Sequence, residues 1–111
     1  MAIAQVAIGN TDTILLTVPA STSYAITTIM VVNHNSYDAT GTNDSSFDMH
    51  FVKNAEAKSN INMVVKELPV PGGETFTFDS EKIILEAGDK IVLLGAHNPS
   101  RLSETVSFME V

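Results

Sequence analysis

Apolar and polar positions alternate in short runs along most of the chain, and turn-forming residues separate these runs. In Glu74–Asp79 the alternation places Phe76 and Phe78 on one face and Thr75 and Thr77 on the other. This period of two, built from aromatic and β-branched residues, predicts a half-buried strand. Comparable runs predict about eight strands, the clearest of them at Ile14–Val18, Tyr24–Asn33, Phe47–Lys53, Ile61–Lys66, Glu74–Asp79, Ile91–Leu94 and Leu102–Val111.

Two of these runs depart from simple alternation. Tyr24–Asn33 is the longest β-rich run and is apolar on both faces, so we expect it at the centre of a sheet. Ile91–Leu94 is continuously apolar, and its flanking turns and β-branched content favour a strand covered on both faces over a buried helix. Reversals are expected at Gly72–Gly73 and Gly88–Asp89, and Ile83–Leu85 is interpreted as a short link.

Together these elements predict an all-β protein with a single domain spanning residues 1–111. Short strands without an amphipathic helix favour an antiparallel β-sandwich of about seven or eight strands, with jelly-roll or immunoglobulin-like topology. A small β-barrel is the alternative. The prolines of Leu68–Pro71 cannot donate to a β-ladder, so this segment should end a strand or lie at a sheet edge. We expect Leu102–Val111 to be an edge strand that contacts a neighbour, and Ala55–Lys58 to hold a helical turn.

Composition narrows the classes of function. The chain has 44% hydrophobic residues, and its 13 acidic and 6 basic residues give a formal net charge of −7. Such a surface repels phosphate backbones, so we expect no nucleic-acid partner. The absence of cysteine removes disulfide scaffolds, thiolate metal sites and cysteine nucleophiles. The chain shows neither a signal peptide nor an apolar run long enough to cross a membrane, so we expect a soluble protein made in a cytoplasm, with no membrane partner.

Catalytic and cofactor-binding motifs are missing from the sequence, and we expect neither an enzyme nor a cofactor. The serines form no Gly-x-Ser-x-Gly elbow, and nothing indicates a Ser–His–Asp arrangement. Zinc needs three or four converging ligands, whereas His34, His50 and His97 are far apart in the sequence. Only His50 has a carboxylate, Asp48, on its own predicted strand face.

A polar loop supplies the one candidate for a metal. Asp38, Asp44 and Asp48, in or beside this loop, carry oxygen ligands of the kind that calcium prefers. Their spacing lacks the ordered pattern of a calcium-binding loop and its closing bidentate glutamate. A plain polar turn, in which these side chains satisfy their own backbone, is the competing interpretation.

Aromatic residues argue against a sugar-binding module. Tyr24 and Tyr37 are the only tyrosines and there is no tryptophan, so few exposed aromatic platforms are available. The five phenylalanines occupy mostly inward positions of predicted strands and should belong to the core.

The order of strands and turns from Thr13 onward carries a family resemblance. The relevant segments are Leu15–Pro19, Ile29–Asn33, Leu68–Thr75, Glu81–Ile91 and Leu102–Val111. This order resembles the small β-sandwich virion proteins of tailed bacteriophages, including marine cyanophages and their uncultured relatives, in which a PAGET turn and a LEAGD turn recur. Here the first turn is PGGET, with glycine in place of alanine, and the second is LEAGD without change.

This resemblance implies a structural component of the virion, such as a head, neck or tail accessory protein, with itself or other virion proteins as partners. It carries over no catalytic residues. A second resemblance, to the cytoskeletal protein articulin with its repeated Val-Pro-Val units, rests on the single LPVP of Leu68–Pro71. The alternative function is a soluble binding module for a glycan or host-surface ligand, with calcium in the Asp38–Asp48 loop.

Overall fold

The computed structural model describes residues 2–79 and 83–111, and these residues form nine strands. The strands are β1 (Ala2–Ile8), β2 (Thr13–Thr17), β3 (Tyr24–Asn33), β4 (Ser45–Val52), β5 (Met63–Val70), β6 (Thr75–Phe78), β7 (Ile83–Leu85), β8 (Lys90–Gly95) and β9 (Leu102–Glu110). Glu81 and Lys82, which begin the Glu81–Ile91 segment of the family resemblance, lie outside the described residues. The described part of the chain contains no helix that is long and apolar enough to span a bilayer.

The strands form two antiparallel sheets. The five-stranded sheet has the order β1-β9-β3-β6, with β7 also paired to β3, and the four-stranded sheet has the order β2-β8-β4-β5. Apart from β4–β5 and β6–β7, successive strands lie in different sheets, as in a jelly roll, in which two Greek keys build a double-sheet sandwich. The predicted all-β sandwich is confirmed.

The core lies between the inward faces of the two sheets. All five phenylalanines belong to it, as predicted. Phe47 and Phe51 of the four-stranded sheet meet Phe76 and Phe78 of the five-stranded sheet, with ring centroids 5.7 Å and 6.3 Å apart. Aromatic contacts at these distances add about 1 kcal/mol each beyond their buried area.

Several local predictions are confirmed. Tyr24–Asn33 is a central strand, with β9 on one side and β6 and β7 on the other. Ile91–Leu94 lies within a strand whose residues Ile91, Val92 and Leu93 are all buried. Gly73 and Gly88 adopt φ values of 78° and 85°, the left-handed region that their turns require.

Four local predictions differ from the structure. β1 was not expected, and Ile83–Leu85, interpreted as a link, pairs with β3 as strand β7. Ala55–Lys58 is not helical; the Glu56 N–H donates to the Lys53 carbonyl (3.0 Å) and closes a turn.

The fourth difference concerns the last strand. Leu102–Val111 was expected at an edge, but β9 lies between β1 and β3 because both strands pair with it. Met109 and Glu110 pair with Ala25 and Tyr24 of β3, so shortening the chain there would remove part of the sheet and is no test of an exposed contact. One edge of this sheet is β1, and the other is formed by β6 and β7.

Candidate functional site

Four connections gather at one end of the sandwich, which we call the loop end: residues 9–12, 34–44, 71–74 and 96–101. Asn33, buried at the end of β3, links the 34–44 connection to the end of β5. Its side-chain amide donates to the carbonyls of Asn43 (2.8 Å) and Val70 (2.9 Å), and its oxygen accepts from the Asn35 N–H (3.0 Å). Because the amide has both donors and its acceptor satisfied, its burial costs little. Sequence inspection missed this residue.

The loop end contains an open, polar cavity of about 270 Å³. Amide, imidazole and guanidinium groups line it, from Asn35, Asn43, His97 and Arg101. The Arg101 guanidinium donates to the Asp44 carbonyl (2.7 Å), which fixes its position. The cavity therefore presents hydrogen-bonding groups, among which the Arg101 guanidinium is held in place by its own hydrogen bond.

The three histidines occupy separate environments. At the loop end, Nδ1 of His34 lies 2.9 Å from the Ser103 hydroxyl, and Nδ1 of His97 lies 3.0 Å from the Ser45 hydroxyl. His50 is instead buried on the outward side of the four-stranded sheet. Within residues 2–79 and 83–111, no three histidine, aspartate or glutamate side chains come together to hold a metal ion.

Each of the aspartates considered as a calcium ligand accepts a hydrogen bond from a nearby backbone N–H. Asp38 accepts hydrogen bonds from the Thr40 N–H (2.9 Å) and hydroxyl (2.7 Å), and these bonds lower the pKa of Asp38. Asp44 accepts from the Gly72 N–H (3.3 Å).

Asp48, the third of these aspartates, supports a bulge in β5. It accepts a hydrogen bond from the N–H of Glu67 (2.7 Å), which has a φ of 45°. The arrangement matches the competing interpretation of local backbone support, and the structure does not bring the three carboxylates into one cluster.

A fully buried carboxyl group, Glu104, also escaped sequence inspection. It lies on the inward side of β9, opposite Val6 of β1 and Val31 of β3. Neither carboxyl oxygen has a hydrogen-bond partner among the described residues. Burial alone raises the pKa of Glu104 to about 9, so the group is neutral at pH 7. The alternation of Leu102, Glu104 and Val106 indicates the inward position of Glu104, because it places all three side chains on one face.

The outward side of the four-stranded sheet is covered and charged. Val52 and Val92 are buried there together with His50. Lys58, in the connection between β4 and β5, reaches across this sheet to form an ion pair with Asp12 beside β2. Burial, followed by the charge of Lys58, lowers the pKa of His50.

The outward side of the five-stranded sheet is bare, and we call it the neutral face. Every described side chain on it is uncharged, and most are small or only weakly polar. They are Ile3, Gln5, Ala7, Ala25, Thr28, Met30, Val32, Thr75, Thr77, Ile84, Ser103, Thr105, Ser107 and Met109. The Gln5 amide donates to the Thr105 hydroxyl (3.1 Å) across strands, and the hydroxyls of Ser103 and Ser107 are hydrogen-bonded to His34 and Thr27.

Comparison of the chain with protein-family models, curated proteins and solved structures gives no match. The fold, the loop end and the neutral face are therefore the features that bear on function.

Proposed function

We propose that the protein is a non-enzymatic structural or accessory component of a bacteriophage particle, in its head, neck or tail. It assembles with copies of itself or with other virion proteins after synthesis in the host cytoplasm. The observation that carries this proposal is the neutral face.

Charge makes the neutral face the favourable surface for assembly. Two copies with a formal charge of −7 each repel one another, and burying their carboxylates against a partner would add a desolvation cost. The cores of protein interfaces are accordingly depleted of charged residues. The neutral face lets copies approach without burying a described charge, and its exposed Ile3, Met30, Val32 and Ile84 supply apolar area.

The size of the face suits a specific contact. Four neighbouring strands spaced about 4.8 Å apart, each about 23 Å long over seven residues, present roughly 440 Å² of flat area. Two copies then bury about 900 Å² before the relief of the side chains is counted, close to the lower bound for specific interfaces.

Fold and sequence give weaker support. Viral capsid domains use double-sheet jelly rolls, but lectin domains use them too, so the fold is only an analogy. The turns PGGET and LEAGD, which carry the phage resemblance, are both reversals between strands in the structure.

The first test is the molar mass of the purified protein, measured by size-exclusion chromatography with light scattering over a range of concentrations. We expect a discrete oligomer. Thr105→Glu, at the centre of the neutral face, should shift the oligomer towards monomer. Thr17→Glu makes the same change on the exposed side of β2 in the other sheet, and should not. A monomer at every concentration would contradict assembly through this face.

Genome context tests the virion assignment separately. Portal, head or tail genes beside the gene for this protein would support it, whereas metabolic genes on both sides would count against it.

The loop end favours a second candidate, a binding module for a glycan or host-surface ligand. Its polar cavity offers amide and guanidinium donors, and Tyr37 in the 34–44 connection is 71% exposed. Glycan-array screening, together with thermal unfolding with and without calcium, tests this function. Binding that is lost in Arg101→Ala would favour it over assembly.

A further inference from the structure

The edges of the two sheets are protected unequally. In β5, an edge of the four-stranded sheet, the register with β4 shifts at two places, and the strand contains Lys66, Glu67 and Pro69. In β2, the opposite edge, the register with β8 shifts between Ile14 and Leu16. Bulges, charges and proline are the usual means by which proteins prevent unwanted pairing at sheet edges.

β1 has none of these protections. Its seven residues, AIAQVAI, include no charge and no proline, and they pair with β9 in an unbroken register from Ala2 to Ile8. No described strand pairs with its other side. A long, regular and uncharged edge is a ready template for another strand.

The sequence of β1 is complementary to itself. If two copies pair antiparallel about a two-fold axis at Gln5, Ala2 lies opposite Ile8 and Ala4 opposite Val6, on the core side of the sheet. Ile3 then lies opposite Ala7, and the two Gln5 amides face each other, on the neutral face. Each isoleucine and valine of β1 thus meets an alanine, and the inward and outward faces of both copies stay in phase.

We infer that β1 pairs with β1 of a second copy about this two-fold axis, joining the two five-stranded sheets into one continuous sheet. The inference rests on the proposed function and adds to it a second contact between copies, at the edge strand β1 beside the neutral face. A strand of seven residues paired in this register forms about six to eight backbone hydrogen bonds, depending on which set of amides points outward. The pairing also covers Ile3, which is 63% exposed, and brings no described charge into the contact. It is isologous, as expected for a two-fold dimer.

Single cysteines test the register, because the natural chain has none. Facing residues of antiparallel strands have Cα atoms about 4.5–5.5 Å apart, within the range that a disulfide spans. Gln5→Cys should therefore form a covalent dimer under mild oxidation. Ile3→Cys should not, because its own copies in the dimer lie about 13 Å apart at about 3.3 Å per residue. Ala7→Cys should likewise fail alone, but a mixture of the Ile3→Cys and Ala7→Cys proteins should yield the mixed dimer. All three positions are exposed, and denaturant unfolding checks that each variant folds.

The outcomes separate this inference from the proposed function. If light scattering shows an oligomer but Gln5→Cys does not cross-link, or Ile3→Cys cross-links with itself equally well, pairing through β1 is wrong and assembly uses another surface. If the natural protein is a monomer at all concentrations and no variant cross-links, both proposals fail. Cross-linking of Gln5→Cys together with the mixed dimer supports both.

Discussion

Replacing Glu104 by glutamine should change how the stability of the protein depends on pH. In the folded protein this carboxyl group is fully buried and has no described hydrogen-bond partner, and its pKa is raised to about 9 from the ordinary value of 4.5. Between these two pH values the folded state holds a proton that the unfolded state releases. Stability from this group is therefore fully present below pH 4.5 and is lost as the pH rises towards 9.

The magnitude follows from the size of the pKa shift. Each pH unit within the window lowers the free energy of unfolding by about 1.4 kcal/mol. At pH 7 the natural protein should thus be about 3 kcal/mol less stable than it would be without this titration. Glu104→Gln keeps the shape of the side chain but cannot ionise, so the variant should gain about this amount at pH 7 and almost nothing at pH 4.5.

Urea unfolding at pH 5, 6, 7 and 8 measures this difference. With a urea dependence of about 2 kcal/mol per molar, the variant's midpoint at pH 7 should lie about 1.5 M higher. Glu110→Gln is the matched control, because Glu110 lies on the same strand but is exposed. Parallel pH dependences of the natural protein and Glu104→Gln would contradict a neutral buried carboxyl group, since the group would then be ionised or solvated in the folded state.

Three further changes test other parts of the structure. Asn33→Asp removes the donors to the Asn43 carbonyl and the buried Val70 carbonyl and should cost at least about 2 kcal/mol in urea unfolding. The pKa of His50 is lowered by burial. Its contribution to the free energy of unfolding is therefore present above pH 6.5 and is lost as the pH falls. His50→Leu should reduce this loss, measured as the difference in the free energy of unfolding between pH 7 and pH 5. Gly72→Ala would place a Cβ 2.4 Å from the Ser36 carbonyl oxygen and should cost about 2 kcal/mol in thermal unfolding, whereas Gly9→Ala, with open space around its Cβ, should cost much less.

Much of the fold could be predicted from local pattern. The alternation in Glu74–Asp79 and the glycines at the two reversals act over a few residues, and the structure confirms them. β1 was missed because alanine is depleted in strands and because β9, its only partner among the described strands, lies about a hundred residues away in the chain. The same distance hid the central position of β9.

The candidate site was less accessible from the sequence. Asn33 looked like the polar end of an apolar run, and its partners in the loop end come from segments that only the topology brings together. Glu104 shows the opposite problem. The alternation in its strand places it inward, whereas its charge favours a position in solvent. Such conflicts between local and global preference are typical of special sites. The neutral face required both the strand order and the register of four strands.

The position of β9 also determines how folding can proceed. β9 is the last of the described strands in the chain, yet it lies between the first, β1, and the third, β3. Until it has been synthesised, β1 has no partner and one side of β3 stays open, so the five-stranded sheet can close only in a late step. Chains dominated by such distant pairings fold slowly, on a scale of about milliseconds to seconds. During that interval the uncharged strand β1 is exposed on both sides, and closure by β9 competes with pairing between unfinished chains.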